Sequence, residues 1–189
     1  PGHGRSHGDS HFGKQTVTAD WNTLLYSDLV PFREAIRRNV GGMMTAHIEF
    51  PNIDAKSLPV SLSGVLLQEK LRGELGFGGL VITDALDMQG VLTAGNGQMI
   101  ALKSLEAGVD MLLSPTDPLQ LKDYLARAQK NGSLDIRKID AACQRILEAK
   151  NRFGILGTTA KAHPAIIAKT VVGSVDHLRT MRDLLPKKP

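Results

Sequence analysis

The sequence predicts an α/β fold in which a parallel sheet is covered by helices. Three observations predict it. Short apolar runs are continuous rather than alternating, as in strands buried on both faces. Segments of helical periodicity fill the gaps between them. The runs recur at intervals of roughly 30 to 40 residues, the rhythm of βαβ units.

The strands are expected at Val40–Ile48 ("VGGMMTAHI"), Gly78–Met88 ("GGLVITDALDM") and Ala107–Pro115 ("AGVDMLLSP"). Each run ends in polar groups: Thr45 and His47, then Thr83 and Asp84, then Ser114. After the first, Ser61 or Ser63 can cap a helix whose Leu67, Leu71 and Leu75 recur at i, i+4, and Gly76 is placed to stop it. After the second, Met99, Leu102 and Leu105 share one face of a helix that Gly108 ends. Asp117 and Pro118 open a third helix by the N-cap and N1 rule, ending near Gly132. In the fourth, Ile136, Ile139, Cys143, Ile146, Leu147 and Phe153 make an apolar stripe closed by Gly154. Beyond it periodicity is weak, with a break at Pro164 and a short helix expected from about Val175 to Leu185. The expected division is residues 1–156 as the folded part and 157–189 as a linker into a following segment.

Two architectures use this rhythm, the doubly wound sheet and the (β/α)8 barrel, and both bind ligands at the carboxyl ends of the strands. His47, Asp84 and Ser114 fall at such ends. A dinucleotide fold would need G-x-G-x-x-G between a strand and a helix; "GFGG" precedes a strand and lacks that spacing.

Composition narrows the function. A chain of 189 residues with 42% hydrophobic and 22% charged residues is a folded domain, not a disordered one. The net charge of +4 is spread along the chain and aromatics are 4%, so no nucleic-acid stripe is read. Cys143 is the single cysteine. An internal disulfide and a cysteine-based zinc site are therefore excluded, and Cys143 is expected to be a small core residue. No apolar run approaches the ~20 residues of a membrane span. The compartment is left open.

The opening "PGHGRSHGDSHFGK" raises a chemical question. His3, His7 and His11 are spaced by four, which on a helix would suggest zinc, but Gly2, Gly4, Gly8 and Gly13 oppose a helix. Neither a metal nor any other cofactor is expected. Asp9 and His11 are two apart, so their side chains can meet in an extended or turn backbone. A carboxylate on one ring nitrogen fixes the imidazole tautomer, giving a proton donor and acceptor suited to neutral pH. A surface loop with a chance Asp-x-His pair is the plain alternative. Asp84 closes "LVIT" at the end of the stiffest element; its plain alternative is a cap or salt-bridged strand end, with Asp87 better placed for that role.

"PGHGRSHGDSHFG", "LVPFREAI", "MMTAHIEFPNID", "LRGELGFGGLVITDALDM" and "SLEAGVDMLLSP", in order from Pro1 to about Leu156, resemble the catalytic barrel of glycoside hydrolase family 3. More narrowly they are similar to its β-N-acetylglucosaminidase (β-N-acetylhexosaminidase) branch, for which the glycine-rich "PGHG…DSH" loop is the specific signal. The resemblance implies a partial (β/α)8 barrel: about three of eight βα units, from the loop after strand five to helix eight. It implies Asp84 as nucleophile, His11 as acid/base and Asp9 as its partner, with Thr45, His47 and His3 near the sugar. The implied substrate is a glycan containing N-acetylglucosamine, such as peptidoglycan or chitin fragments. The family's Lys-His pair before the loop and its earlier strands are absent. The chain is thus expected to be a fragment, unstable or aggregation-prone and inactive when made alone. A β-glucosidase-type hydrolase of the same family and a non-catalytic carbohydrate-binding relic are the competing readings.

Overall fold

A computed structural model describes residues 2–156 together with Ser174, Val175 and Arg179. The chain divides into two compact units, 1–152 and 153–189, and every element named below belongs to the first. The helix expected over 175–185 lies mostly outside the described residues.

The fold is α/β, as the sequence predicts. Its centre is a three-stranded parallel sheet in the order β2 (Gly42–Met44), β4 (Leu80–Ala85), β5 (Met111–Leu113), with Met43 paired to Val81 and Ile82 to Met111. The run expected as one strand from Val40 to Ile48 breaks after Met44. Its end forms a separate parallel pair, β3 (Ile48–Glu49) on β1 (Gln15–Thr16). His47, in the segment between the two strands, is fully buried.

Helices cover one sheet face. α1 (Trp21–Tyr26) is capped by Asp20, whose carboxylate accepts from Thr23 N–H, and α2 (Val30–Arg37) follows. A single 3₁₀ turn (Val60–Leu62) leads into a helix wound with i→i+5 bonds (Val65–Glu74), and the Ser63 hydroxyl accepts from Leu66 N–H at 3.1 Å. Ser63, not Ser61, is therefore the cap. α3 (Gln89–Leu92), α4 (Gly97–Ala107), α5 (Pro118–Lys130) and α6 (Ile136–Arg152) complete the layer. Gly108 ends α4 at φ 103°, where a side chain would be strained. Asp117 caps α5 by accepting from Gln120 N–H.

The core lies between sheet and helices: Leu24, Ile48, Phe50, Leu67, Phe77 and Val81 form one cluster, and Leu62, Leu86, Val91, Ile100 and Leu121 another. Leu112 packs against both. Among the described residues no helix covers the opposite sheet face. Val81 is fully buried, while Met44 and Met111, on the other side of the pleat, are 55% and 40% exposed.

Two apolar faces differ from expectation. α4 buries Ile100, Ala101, Ser104 and Leu105, and Met99 is left exposed. In α6 Cys143 is exposed, not a core residue, and so are Ile136 and Leu147. α6 docks by Ile139, which packs against Leu105, Ala128 and Leu134, and by the adjacent stripe. Ala142 is buried, Lys138 reaches Glu106 at 2.7 Å, Arg145 reaches Asp110 at 2.8 Å, and Arg152 donates to Asn39 O. Ion pairs set a face about 100° around the helix from the one hydrophobicity alone selects.

Candidate active site

β4 delivers Asp84 to the carboxyl end of the sheet. Ile82 pairs with Met111 and Ala85 with Leu113, so Thr83 and Asp84 together oppose Leu112 alone. This bulge is stabilised by the Thr83 hydroxyl, which accepts from Leu113 N–H at 2.9 Å in place of a backbone carbonyl. A bulge re-aims the residues it contains. Asp84 is half-buried, and one carboxylate oxygen accepts from the Ala85 N–H at 2.8 Å. Among the described residues that is its one hydrogen-bond donor, which leaves the second oxygen uncommitted.

His47 supports this corner from below. Its ring is fully buried; Nε2 lies 3.0 Å from Ala85 O and Nδ1 lies 2.8 Å from Ser61 Oγ. A carbonyl only accepts, so Nε2–H donates to Ala85 and, in the neutral ring, Nδ1 accepts from the Ser61 hydroxyl. Burial pushes the His47 pKa down, against the pull of the Ala85 carbonyl and the Asp84 charge. The chain of contacts runs His47, Ala85 peptide, Asp84 carboxylate. Among the described residues the buried Thr45 hydroxyl has no hydrogen-bond partner, and Thr45 borders an apolar cavity lined by Trp21, Leu29, Phe32 and Met43.

The opening loop brings Asp9 and His11 together. One Asp9 carboxylate oxygen accepts both the His11 backbone N–H at 2.9 Å and its Nδ1–H at 2.6 Å. The backbone bond first, then the ring bond, holds the Asp9 carboxyl below its ordinary range. With Nδ1 occupied, Nε2 is the free end of an imidazole that is 66% exposed. That end can give or take a proton. Between the two, Ser10 is fully buried and hydrogen-bonds His3 Nε2 at 2.7 Å, while its carbonyl accepts Gly90 N–H at 3.0 Å. Sequence reasoning missed Ser10, Ser61 and Gly90, whose roles depend on partners distant along the chain. His7 is exposed, and among the described residues no histidine group is placed to hold a metal.

A strand-end carboxylate, a buried imidazole behind it and an exposed Asp–His pair on a docked loop define a class: α/β proteins that gather titratable groups at the carboxyl ends of parallel strands. The pattern that defines the glycosyl hydrolase family 3 N-terminal domain matches residues 1–149, and the chain belongs to that family. It is 43% identical over 126 residues to a beta-hexosaminidase of Nitrosospira multiformis, covering 67% of this chain and 36% of that protein. Its structure is similar to a family 3 β-N-acetylglucosaminidase of Paenibacillus, with a TM-score of 0.78, 36% identity, and coverage of 86% of this chain and 32% of that one. It is also similar to a beta-glucoside phosphorylase, BglX, with a TM-score of 0.82, 26% identity, and coverage of 95% and 34%. The chain spans about a third of the length of these relatives. No helix among the described residues is long and apolar enough to cross a membrane.

Proposed function

We propose that this chain carries the C-terminal part of the catalytic barrel of a retaining exo-β-N-acetylglucosaminidase, releasing terminal N-acetylglucosamine from glycans such as peptidoglycan or chitin fragments. On this reading β2, β4 and β5 are strands six to eight of a (β/α)8 barrel, and the open face with Met44 and Met111 is turned to the barrel interior.

In the first step an Asp84 oxygen attacks the anomeric carbon while His11 Nε2–H protonates the departing glycosidic oxygen. The carbon–oxygen bond breaks and a glycosyl ester forms on Asp84. In the second step neutral Nε2 removes a proton from water, the water oxygen attacks the same carbon, and the ester breaks. Two inversions leave the anomeric configuration unchanged. Asp9 stabilises the imidazolium of the resting acid, and its bond to Nδ1 keeps Nε2 as the working nitrogen. His47 and Ser61 are positioning residues that hold the Ala85 peptide against Asp84. His3 steadies the loop, and Thr45, facing the apolar cavity, is left out of sugar binding.

The observation that carries this reading is the Asp9–His11 bond at 2.6 Å with Nε2 free, on a loop docked beside the segment that follows Asp84. A fluorosugar that forms its ester quickly and loses it slowly, given to the longest natural product containing this chain, is expected to label the Asp84 peptide by one sugar mass. Label on another residue, or none with turnover persisting, removes Asp84 as nucleophile. Cleavage of chromogenic N-acetylglucosaminides over glucosides separates this branch from a β-glucosidase. The likeness to a phosphorylase favours a second reading, in which phosphate replaces water in the second step. Release of a sugar 1-phosphate in phosphate buffer distinguishes it.

A further inference from the structure

Ser10 is the buried member of the Asp9–Ser10–His11 triplet; both neighbours are exposed. Its carbonyl accepts the Gly90 N–H at 3.0 Å, and its hydroxyl is tied to His3. Gly90 lies buried in α3, six residues after Asp84 by position, with an ordinary helical backbone. A methyl group added there would stand 2.7 Å from Ser10 O, 3.3 Å from Gly13 O and 3.3 Å from Ser10 Cβ. Nothing in the local backbone requires glycine; only the docked loop does. Alanine at 90 would suit the helix and collide with the loop.

We infer that Gly90 and Ser10 form a latch, a positioning pair that seats the Asp9–His11 dyad over Asp84 by admitting the loop backbone against α3. The inference rests on the proposed roles of Asp84 and His11. A fixed contact one residue from His11 sets the reach of its Nε2, and small misplacements of a proton donor cost rate steeply. The glycines on either side let the loop leave and return, while the latch defines where it stops.

The test compares Gly90→Ala, His11→Ala and the double variant in the longest natural product containing this chain, using aryl N-acetylglucosaminides of graded leaving-group acidity. Gly90→Ala is expected to keep KM within about twofold and to lower kcat about 10- to 100-fold on poor leaving groups, part of the roughly 10²–10⁴ that one acid/base group supplies. The loss is expected to shrink for dinitrophenyl glycosides in the bond-breaking step, which need no proton. In the His11→Ala background the same change is expected to cost nothing more. Ser10→Ala, which keeps the carbonyl, is expected to follow the pattern with a two- to tenfold loss. Wild-type kcat in Gly90→Ala, or an equal loss on every leaving group that adds to that of His11→Ala, overturns the latch. If His11→Ala itself retains full activity, the acid/base assignment falls instead, and the latch with it.

Discussion

The two ends of the central sheet each hold an aspartate, and they are built to opposite purposes. At the amino end the Asp110 carboxylate is wholly buried and saturated. It accepts from Arg72 at 2.7 Å, from Arg145 at 2.8 Å and from Val81 N–H at 2.8 Å. At the carboxyl end Asp84 is half-buried and accepts one backbone N–H. Saturation makes a carboxylate a clamp, joining the Val65–Glu74 helix, β4 and α6. An uncommitted oxygen leaves a carboxylate able to react. The residue type is the same; the supply of donors decides the role.

Exchanging the two substitutions sharpens this contrast. The largest effect is expected from Asp84→Asn, which keeps shape and removes the charge of the proposed nucleophile. Hydrolysis is expected to fall by roughly 10⁴- to 10⁶-fold, the scale on which losing a nucleophile disables a two-step hydrolase. The melting temperature is expected to hold within a few degrees, because only the Ala85 N–H loses strength in its partner. A large loss of stability with modest loss of rate would make Asp84 structural. Asp110→Asn is expected to do the reverse. Two guanidinium groups lose their counter-charge, and breaking a buried ion network from one side costs about 3–5 kcal/mol. Denaturant melts read it, with activity per folded molecule retained. Equal stability of Asp110→Asn and wild type would reduce the clamp to a surface-strength ion pair.

Legibility follows the same division. Asp84 was readable because a continuous apolar run ending in an acid places that acid at a strand end whatever surrounds it. Gly108, Gly154 and Asp117–Pro118 were readable because each governs only its own turn, and Gly108 and Gly154 have positive φ. The bulge at Thr83–Asp84 was not, since it is a register between β4 and β5, and Thr83 meets Leu113 across 30 residues. The docking face of α6 was not, because Lys138 and Arg145 find acids 32 and 35 residues away. Hydrophobic periodicity counts apolar residues and is blind to charges that bury together. Ser10 was hidden for the same reason: a serine in a glycine-rich loop reads as solvated until Gly90 is known to lie under it.

Within the site, the exposed dyad and the buried imidazole make a second contrast. Asp9→Asn removes the carboxylate charge beside His11 but keeps an oxygen able to accept from Nδ1–H. It is expected to lower kcat about 10- to 100-fold, less than the 10²–10⁴ that a whole acid/base group supplies. Its effect on stability is expected to be negligible, since both partners lie in solvent. A fall in Tm of many degrees would instead make the pair a structural tie for the loop.

His47 reverses every one of those properties, and its expected signature is the smallest and the most specific. Burial favours the neutral ring, so the folded chain binds a proton less readily than the unfolded chain, whose histidine keeps the ordinary value near 6.5. Its contribution to stability is complete above about pH 6.5 and is lost as pH falls toward the lowered folded value. Protonation would also force Nδ1 to become a donor, obliging the Ser61 hydroxyl to turn and accept. His47→Gln retains a donor for Ala85 O and an acceptor for Ser61 but has no charge to gain. The variant is expected to be somewhat less stable at about pH 7.5 and to lose less than wild type between about pH 7 and 5. Parallel stability curves for the two proteins over that range would show that the His47 ring does not stay neutral in the folded chain, and would detach the pH response of the site from the imidazole beneath it.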